Sequence, residues 1–407
     1  MSGRVLSVIL LPTLECNVKC DYCFEEKSKI KLSMDQVESL AHHLVDHMTS
    51  FSSMEANLYW QGGEVMLLGP SWFEKTGIIF EKVAAKTGYK FHHYLQTNLI
   101  GWNEGWNNIV HTMFGSALGT SMDYPNSHRR LKNGSTEQYT RLWLKAVREA
   151  QAAGIEVGLI AVLHQDTLKS DPIEFFRFFT QTAGISDFQV NMPFPGGPNE
   201  GAGTLEVEPL SRFLLGLLQV WLDEGRDKGV KLGPFSELVD QFAGRSTTLP
   251  CIWQPNCANE FLAVDARGQT ALCDCWVTSY PEHSFGNIFG TQNIAQMLRG
   301  SEARERFKER PGYLIENEEC RTCEWLSMCH GGCPVRTFTA KETIYAKDPY
   351  CEVYKAIFGE TRRLGRGLTT IPRPAAERPK VFSSSVTTKD VDSQPTPKSG
   401  YVPLKVH

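Results

Sequence analysis

Three cysteines, Cys16, Cys20 and Cys23, fall within eight residues, directly after the first apolar run of the chain, Val5 to Leu11. Three thiols cannot all pair as disulfides, and an odd trio this close is a poor covalent staple. On one tight loop they can hold three irons of a four-iron cluster, since cluster iron is usually bound by cysteine sulfur. The fourth iron then has no protein ligand and stays open to a small molecule. A zinc knuckle is the other use of such a trio. Downstream, Gly62-Gly63-Glu64 sets a carboxylate beside two glycines. Glycine lets backbone approach a ligand closely, and the carboxylate suits an ammonium group, whereas a plain turn with a solvated Glu is the bland reading.

No cysteine occurs from residue 24 to 250, and nine follow between Cys251 and Cys351. Eight of these, Cys251, Cys257, Cys273, Cys320, Cys323, Cys329, Cys333 and Cys351, make two complete sets of four thiolates. Spacing alone does not dictate the split, and two tetrahedral zinc sites are the physical rival to two clusters. Cys275 is left over and reads as a free, partly buried thiol.

The elements that must position these groups read as strand then helix, about six times over the first 190 residues. Expected strands cover 4–11, 57–61, 90–96, 116–121, 155–163 and 187–191. Expected helices cover about 34–48, 72–86, 106–113 and 137–153, with another opening at Asp171-Pro172. Ser33 with Gln36 predicts a capping box at the start of the first helix. Such alternation implies a parallel sheet covered by helices, closed by right-handed crossovers into a complete or partial barrel. Sites in these folds form at the C-terminal strand ends. Cys16, Gly62 to Glu64, Thr97-Asn98, Ser121 with Asp123, and Asn191 all stand at such ends. Residues 196–206 read as a linker and a helix from about 208 to 225 as core. From about 370 the chain is rich in Pro, Ser, Thr and Lys without apolar periodicity.

The chain has 407 residues, 41% hydrophobic and 22% charged, with a formal net charge of −4. These values suit a globular protein of more than one domain and give no sign of affinity for nucleic acid or membrane. With no long apolar run and no signal-peptide pattern, a cytoplasmic location is expected. Twelve cysteines then argue for metal ligation over a disulfide framework.

The spacing C-x3-C-x2-C, with Tyr22 just before its last cysteine, resembles the signature of radical S-adenosylmethionine (SAM) enzymes. The resemblance implies a partial (β/α)6 TIM-like barrel, an α/β fold, followed by a small Cys-rich iron–sulfur domain. It implies SAM bound to the open iron and cleaved reductively to a 5′-deoxyadenosyl radical that abstracts hydrogen from substrate. Gly62, Gly63 and Glu64 resemble the family motif that contacts the SAM amino group. Ser121 and Arg141 resemble its contacts to the SAM ribose and carboxylate. Gln96-Thr97-Asn98 resembles the third-strand end, with Leu99 where a Gly is frequent.

The second cysteine field resembles the SPASM domain, which carries two auxiliary four-iron clusters. By the family's pairing, Cys251, Cys257, Cys273 and Cys333 would hold the first, and Cys320, Cys323, Cys329 and Cys351 the second. With the N-terminal triad this makes three [4Fe-4S] clusters. The pattern as a whole is similar to anaerobic sulfatase-maturing enzymes, in which the Asp corresponding to Asp274 is the base acting on the substrate side chain. A turn-capping Asp is the structural reading of the same residue.

The expected domains are a radical SAM core at 1–200, a helical linker at 201–245, the SPASM domain at 246–360 and a loosely docked or disordered tail at 361–407. The expected function is modification of a side chain in a peptide or protein, by oxidation or cross-linking, as in sulfatase maturases and maturases of ribosomal peptides. Expected partners are the peptide or protein substrate, a reductant such as flavodoxin or ferredoxin, and a separate leader-recognition protein, since the chain begins directly with the first barrel strand. Oxidation of a small-molecule alcohol and a zinc-binding interaction protein are the alternatives.

Overall fold

A computed structural model describes residues 5–194, 204–245, 248–255, 257–259, 261–317 and 319–368. Its frame is one ten-stranded sheet. Six parallel strands, β1 (Leu6–Leu11), β3 (Glu55–Trp60), β4 (Lys90–Thr97), β5 (Ala117–Ser121), β7 (Glu156–Val162) and β8 (Asp187–Asn191), fall within one or two residues of the expected ones. They pair in that order, all parallel. β1 is buried almost throughout, the pattern of a strand covered on both faces. The missing numbers belong to a small ladder in which β2 (Val18–Cys20) pairs antiparallel with β6 (Arg129–Leu131).

The helices cover the sheet for the reason their spacing gives. Helix Met34–Phe51 buries Val37, Leu40, Ala41, Leu44 and Met48, one stripe at i, i+3, i+4 intervals. Its capping box is present: the Ser33 hydroxyl accepts from the Gln36 amide at 3.2 Å, and the Gln36 side chain accepts from the Ser33 amide at 3.0 Å. Helix Val207–Val220 buries Leu210, Phe213, Leu214, Leu217 and Leu218, so its apolar face is core, packed partly on the last helix, Cys351–Leu368. That last helix runs eight residues into the stretch expected as tail. The stretch 196–206, expected as a linker, lies mostly outside the described residues, as does everything from 369 on.

Both edges of the six-strand sheet are extended by residues placed elsewhere by the sequence reading. β9 (Lys231–Gly233), within the expected linker, adds parallel to β8. β10 (Phe261–Asp265), within the expected SPASM domain, adds parallel to β1 and is followed by antiparallel β11 (Gln269–Ala271) and β12 (Gly286–Asn287). The cysteine-rich region therefore shares the sheet of the barrel, and the hairpin between β10 and β11 lies at the same end as the loop after β1. Among the described residues no helix is long and apolar enough to cross a membrane.

Because β10 satisfies the outer edge of β1, a chain ended at residue 245 leaves the ladder groups of Ser7 to Leu11 open beside a fully buried apolar strand. Such a truncation is expected to aggregate, read by size-exclusion chromatography. A soluble, folded 1–245 monomer would mean that β1 does not need this partner.

Candidate active site and cysteine centres

The cysteine loop is held by backbone before any ligand is considered. Glu64 donates its amide to the Glu15 carbonyl at 2.8 Å, and Gly63 to that of Thr13 at 3.0 Å. A Cβ on Gly63 would stand 2.2 Å from the Glu15 oxygen, and one on Gly62, where φ is +128°, 2.6 Å from that of Thr13. The two glycines thus let the end of β3 lie directly against the loop that carries the cysteines, a tighter demand than ligand approach. From the other side, β6 pins the loop through Val18 to Cys20, and Asp21 forms an ion pair with Arg130.

Beneath the loop lies Asp123, 1% exposed. It accepts from the Tyr22 hydroxyl at 2.6 Å, Arg129 Nε at 3.0 Å and the Val162 amide at 3.0 Å. Burial opposes its ionisation, yet the Arg129 guanidinium, with His164 and Tyr22, holds its carboxyl well below the usual carboxylate range.

These elements enclose a cavity of about 470 Å³. Cys16, Cys20, Cys23, Gly62, Gly63, Glu64, Ser121 and Asp274 all line it, together with Gln96, Thr97 and Asn98. Asn191 and Asp123 do not; Met192 to Phe194 and Val162 supply the walls there. Arg141 needs correction. It is exposed on helix Thr136–Ala152, in a shallow surface depression with Glu137 and Lys145. The guanidinium in the cavity wall is Arg129, 8% exposed, which stacks over the Tyr22 ring at 5.4 Å. No sequence periodicity marks Arg129, since only the β2–β6 pairing carries it there. Gln61 and Glu25 also line the cavity and were not singled out.

The Glu64 carboxylate is 2% exposed. It accepts from Thr97 Oγ1 at 2.6 Å and from the amides of Met66 and Asn98 at 2.9 and 2.8 Å. Burial raises its pKa despite these donors, so a cation in the cavity would favour the charged form. Asn98 donates to Cys16 sulfur at 4.0 Å and to the Asn17 side chain at 2.8 Å, tying β4 to the cysteine loop. Leu99 adopts the left-handed backbone that glycine favours, with φ of +61°, and its amide donates to Thr97 Oγ1 at 3.1 Å. The departure at this position is in residue type, and the backbone keeps the form a glycine would take.

Asp274 opens a short helix, Asp274–Ser279, and is 6% exposed. Its Oδ2 accepts from Gln61 Nε2 at 2.8 Å, while Oδ1 is buried with no hydrogen-bond partner among the described residues. Burial, with the nearby Glu25 charge, pushes its pKa up to about 6. Asp274 therefore joins the cavity through Gln61 at the end of β3, and backbone amides of its own turn also bond its carboxyl.

The thiols fit metal. Burial pushes Cys16 up to about 11 and Cys20 to about 12, so proton-bearing sulfur is the resting form, and a cation is the partner that offsets ionising it. Cys320, Cys323, Cys329 and Cys351 line one small cavity, the second expected set. Of the first, Cys257, Cys273 and Cys333 are close enough to perturb one another, and Cys251 is buried in the turn Cys251–Trp253. Cys275, expected as partly buried, is 1% exposed and bonded to the Cys273 thiol. Arg310, also buried, donates to the carbonyls of Gly331, Gly332, Ile344 and Ala346 at 3.0, 3.2, 2.7 and 3.1 Å. It gathers the loops that bear Cys329 and Cys333.

Comparison with known proteins places this arrangement. Residues 251–324 match SPASM, an iron–sulfur cluster-binding domain. The cysteine-type anaerobic sulfatase-maturating enzyme of Clostridium perfringens is 23% identical over 369 residues, covering 87% of this chain and 95% of the relative. Over most of its length the chain is similar to the sulfatase-maturating enzymes. A solved structure of anSMEcpe with bound AdoMet and the Cp18Cys peptide superposes with a TM-score of 0.74 at 22% identity, covering 90% of this chain and 99% of that one. Streptococcus suis SuiB bound to its precursor peptide SuiA superposes at 0.59 with 12% identity, covering 86% and 76%. Both share the fold of this chain, a largely parallel sheet with a cysteine-rich C-terminal region.

Two substitutions test the positioning. Gly63→Ala forces Cβ into the Glu15 carbonyl, so iron bound per chain after anaerobic reconstitution is expected to fall, and unchanged iron would mean the loop tolerates the displacement. At Leu99, left-handed backbone costs a non-glycine residue about 1–2 kcal/mol, while the fully buried side chain contributes roughly 1.5–3 kcal/mol. Leu99→Ala loses the burial and keeps the strain, so denaturant titration is expected to show it less stable than Leu99→Gly. The reverse order would refute the strain.

Proposed function

We propose that this chain is a radical SAM enzyme that modifies a side chain in a peptide or protein substrate. One observation carries the reading: Cys16, Cys20, Cys23, Glu64 and Asp274, distant in sequence, line a single cavity at the C-terminal ends of the strands. The relatives' names and the AdoMet and peptides bound in the superposable structures support it. Cys16, Cys20 and Cys23 would hold a four-iron cluster, and two auxiliary clusters would sit on the expected sets of four. With SAM bound, such a cluster supplies the reductive cleavage that makes a 5′-deoxyadenosyl radical.

The chain's own residues then have these roles. Glu64, with Thr97 and the Asn98 amide fixing its carboxylate, receives the SAM ammonium. Gly62 and Gly63 keep that carboxylate against the cysteine loop, and Ser121, held by Gln96 at 3.0 Å, offers a hydroxyl for the ribose. Arg129 rather than Arg141 is the arginine of the cavity wall, beside Lys19 and Lys27. Asp274 is the proton acceptor. Oxidising a C–S–H or C–O–H side chain to a carbonyl-type product removes hydrogen from carbon, then a proton and an electron. The unpaired Oδ1 faces the proton's destination, and Gln61 fixes the other oxygen. The reductant, taken as a flavodoxin or ferredoxin, and any leader-recognition protein belong to this reading as proposals, as does a cytoplasmic location.

Cys16→Ala, Cys20→Ala and Cys23→Ala together are expected to abolish 5′-deoxyadenosine formation, while Asp274→Asn is expected to cleave SAM and make less than about a tenth of the wild-type product. Wild-type yield in Asp274→Asn would remove that residue from the mechanism. The deciding assay incubates reduced, reconstituted protein with SAM and a peptide carrying a sulfatase-type Cys motif. Peptide-dependent 5′-deoxyadenosine with Cys converted to an aldehyde supports maturase chemistry. SAM cleavage with the peptide unchanged would move the substrate to a cross-linked or small-molecule product.

A further inference from the structure

Cys275 stands outside both sets of four, yet the structure places it against one of them. Cys273 begins the turn that continues as helix Asp274–Ser279, and the ligand atoms of Cys273, Asp274 and Cys275 lie within 4.8 Å of one another. The Cys275 thiol is hydrogen-bonded to that of Cys273 and is close enough to Cys333 to feel its charge. Cys257 stands in the same relation to Cys273 and Cys333. All of these sulfurs are shielded from solvent, and Cys275 is 1% exposed. Beside them the Oδ1 of Asp274 is buried and unpartnered.

Cys257, Cys273, Cys275 and Cys333 are thus four neighbouring thiols, as many as a four-iron cluster has irons, while Cys251 belongs to the expected set through the family's pairing. A thiolate already against its neighbouring ligand needs little motion to reach iron. A thioether, hydroxyl or apolar side chain at 275 would have left no such choice.

We propose that Cys275 is an alternative ligand of the first auxiliary iron–sulfur site, exchanging with Cys251. The inference rests on the reading that this site holds a four-iron cluster. The exchange is redox-neutral. The Cys275 sulfur forms a bond to iron and gives up its proton; the Cys251 sulfur–iron bond breaks, and the departing thiolate takes up a proton. Because Asp274 lies between Cys273 and Cys275, coordination through both would clamp from either side the residue that Gln61 holds at the cavity edge.

The test counts iron in the full chain carrying Cys16→Ala, Cys20→Ala and Cys23→Ala, so that only auxiliary iron remains. About eight irons per chain are expected in this background, about eight again after adding Cys251→Ala, and about four after adding Cys251→Ala with Cys275→Ala. A fall to about four with Cys251→Ala alone, or about eight irons retained when Cys275→Ala is added to it, overturns the exchange. Zinc, or no iron, in the background overturns the cluster reading and the exchange with it.

A second measurement needs no cysteine substitution. Reconstituted wild-type protein is treated with iodoacetamide, and the alkylated cysteines are mapped by mass spectrometry. Exchange is expected to make both Cys251 and Cys275 alkylate more than Cys257. Cys251 protected to the same extent as Cys257 overturns the proposal.

Discussion

The site depends on one close contact between two stretches of backbone. The end of β3 lies against Thr13 to Glu15 with no room for a Cβ at either glycine, and two amide–carbonyl bonds hold it there. A hydrogen bond of this kind contributes only about 1 kcal/mol net. Its value lies in direction: it fixes the Glu64 carboxylate and the cysteine loop in one frame, because both belong to the same contact. β6 on the far side and Asn98 above complete the clamp. A loop of three desolvated thiols has little apolar surface of its own to fold around, so its shape must come from such neighbours.

Electrostatics follow from the same geometry. Burial disfavours charge on Glu64, Asp274, Cys16 and Cys20 alike, so a cation or donor brought beside any of them favours its charged form. Asp123 shows the contrary case. Equally buried, it stays ionised because Arg129 is 3.0 Å away and Tyr22 and Val162 donate to it. The difference between a structural and a reactive carboxylate here is the presence of a complete set of partners. Asp123 has it, while Asp274 keeps one oxygen unpaired.

The cysteine-rich region and the barrel are one sheet rather than two bodies. β10 pairs with β1 along five residues. Beyond the returning strand β11, Asp274 is tied to the end of β3 by Gln61, and Ser279 bonds back to the carbonyl of Phe24 beside the first cysteine loop. Arg336, fully buried, pairs with Asp348 and lies over the Phe194 ring at 5.5 Å, fastening the second cysteine set to the end of β8. Proximity of the groups is therefore built into strand pairing.

The sequence by itself determined the six βα repeats, the capping box at Ser33 and the two fields of cysteines, because periodicity, caps and thiol spacing are local properties written along the chain. It also located the strand ends, and with them Glu64 and Ser121. It did not determine that Arg129 rather than Arg141 faces the cavity. Helical spacing puts Arg141 on a surface, but which residue meets the loop is decided by the pairing of β2 with a strand more than a hundred residues away. It did not show β9 and β10 beside the outer strands of the six, since three- and five-residue strands carry too little pattern to stand out. Those were tertiary decisions, made by edge pairing and close packing between segments that share no local signal.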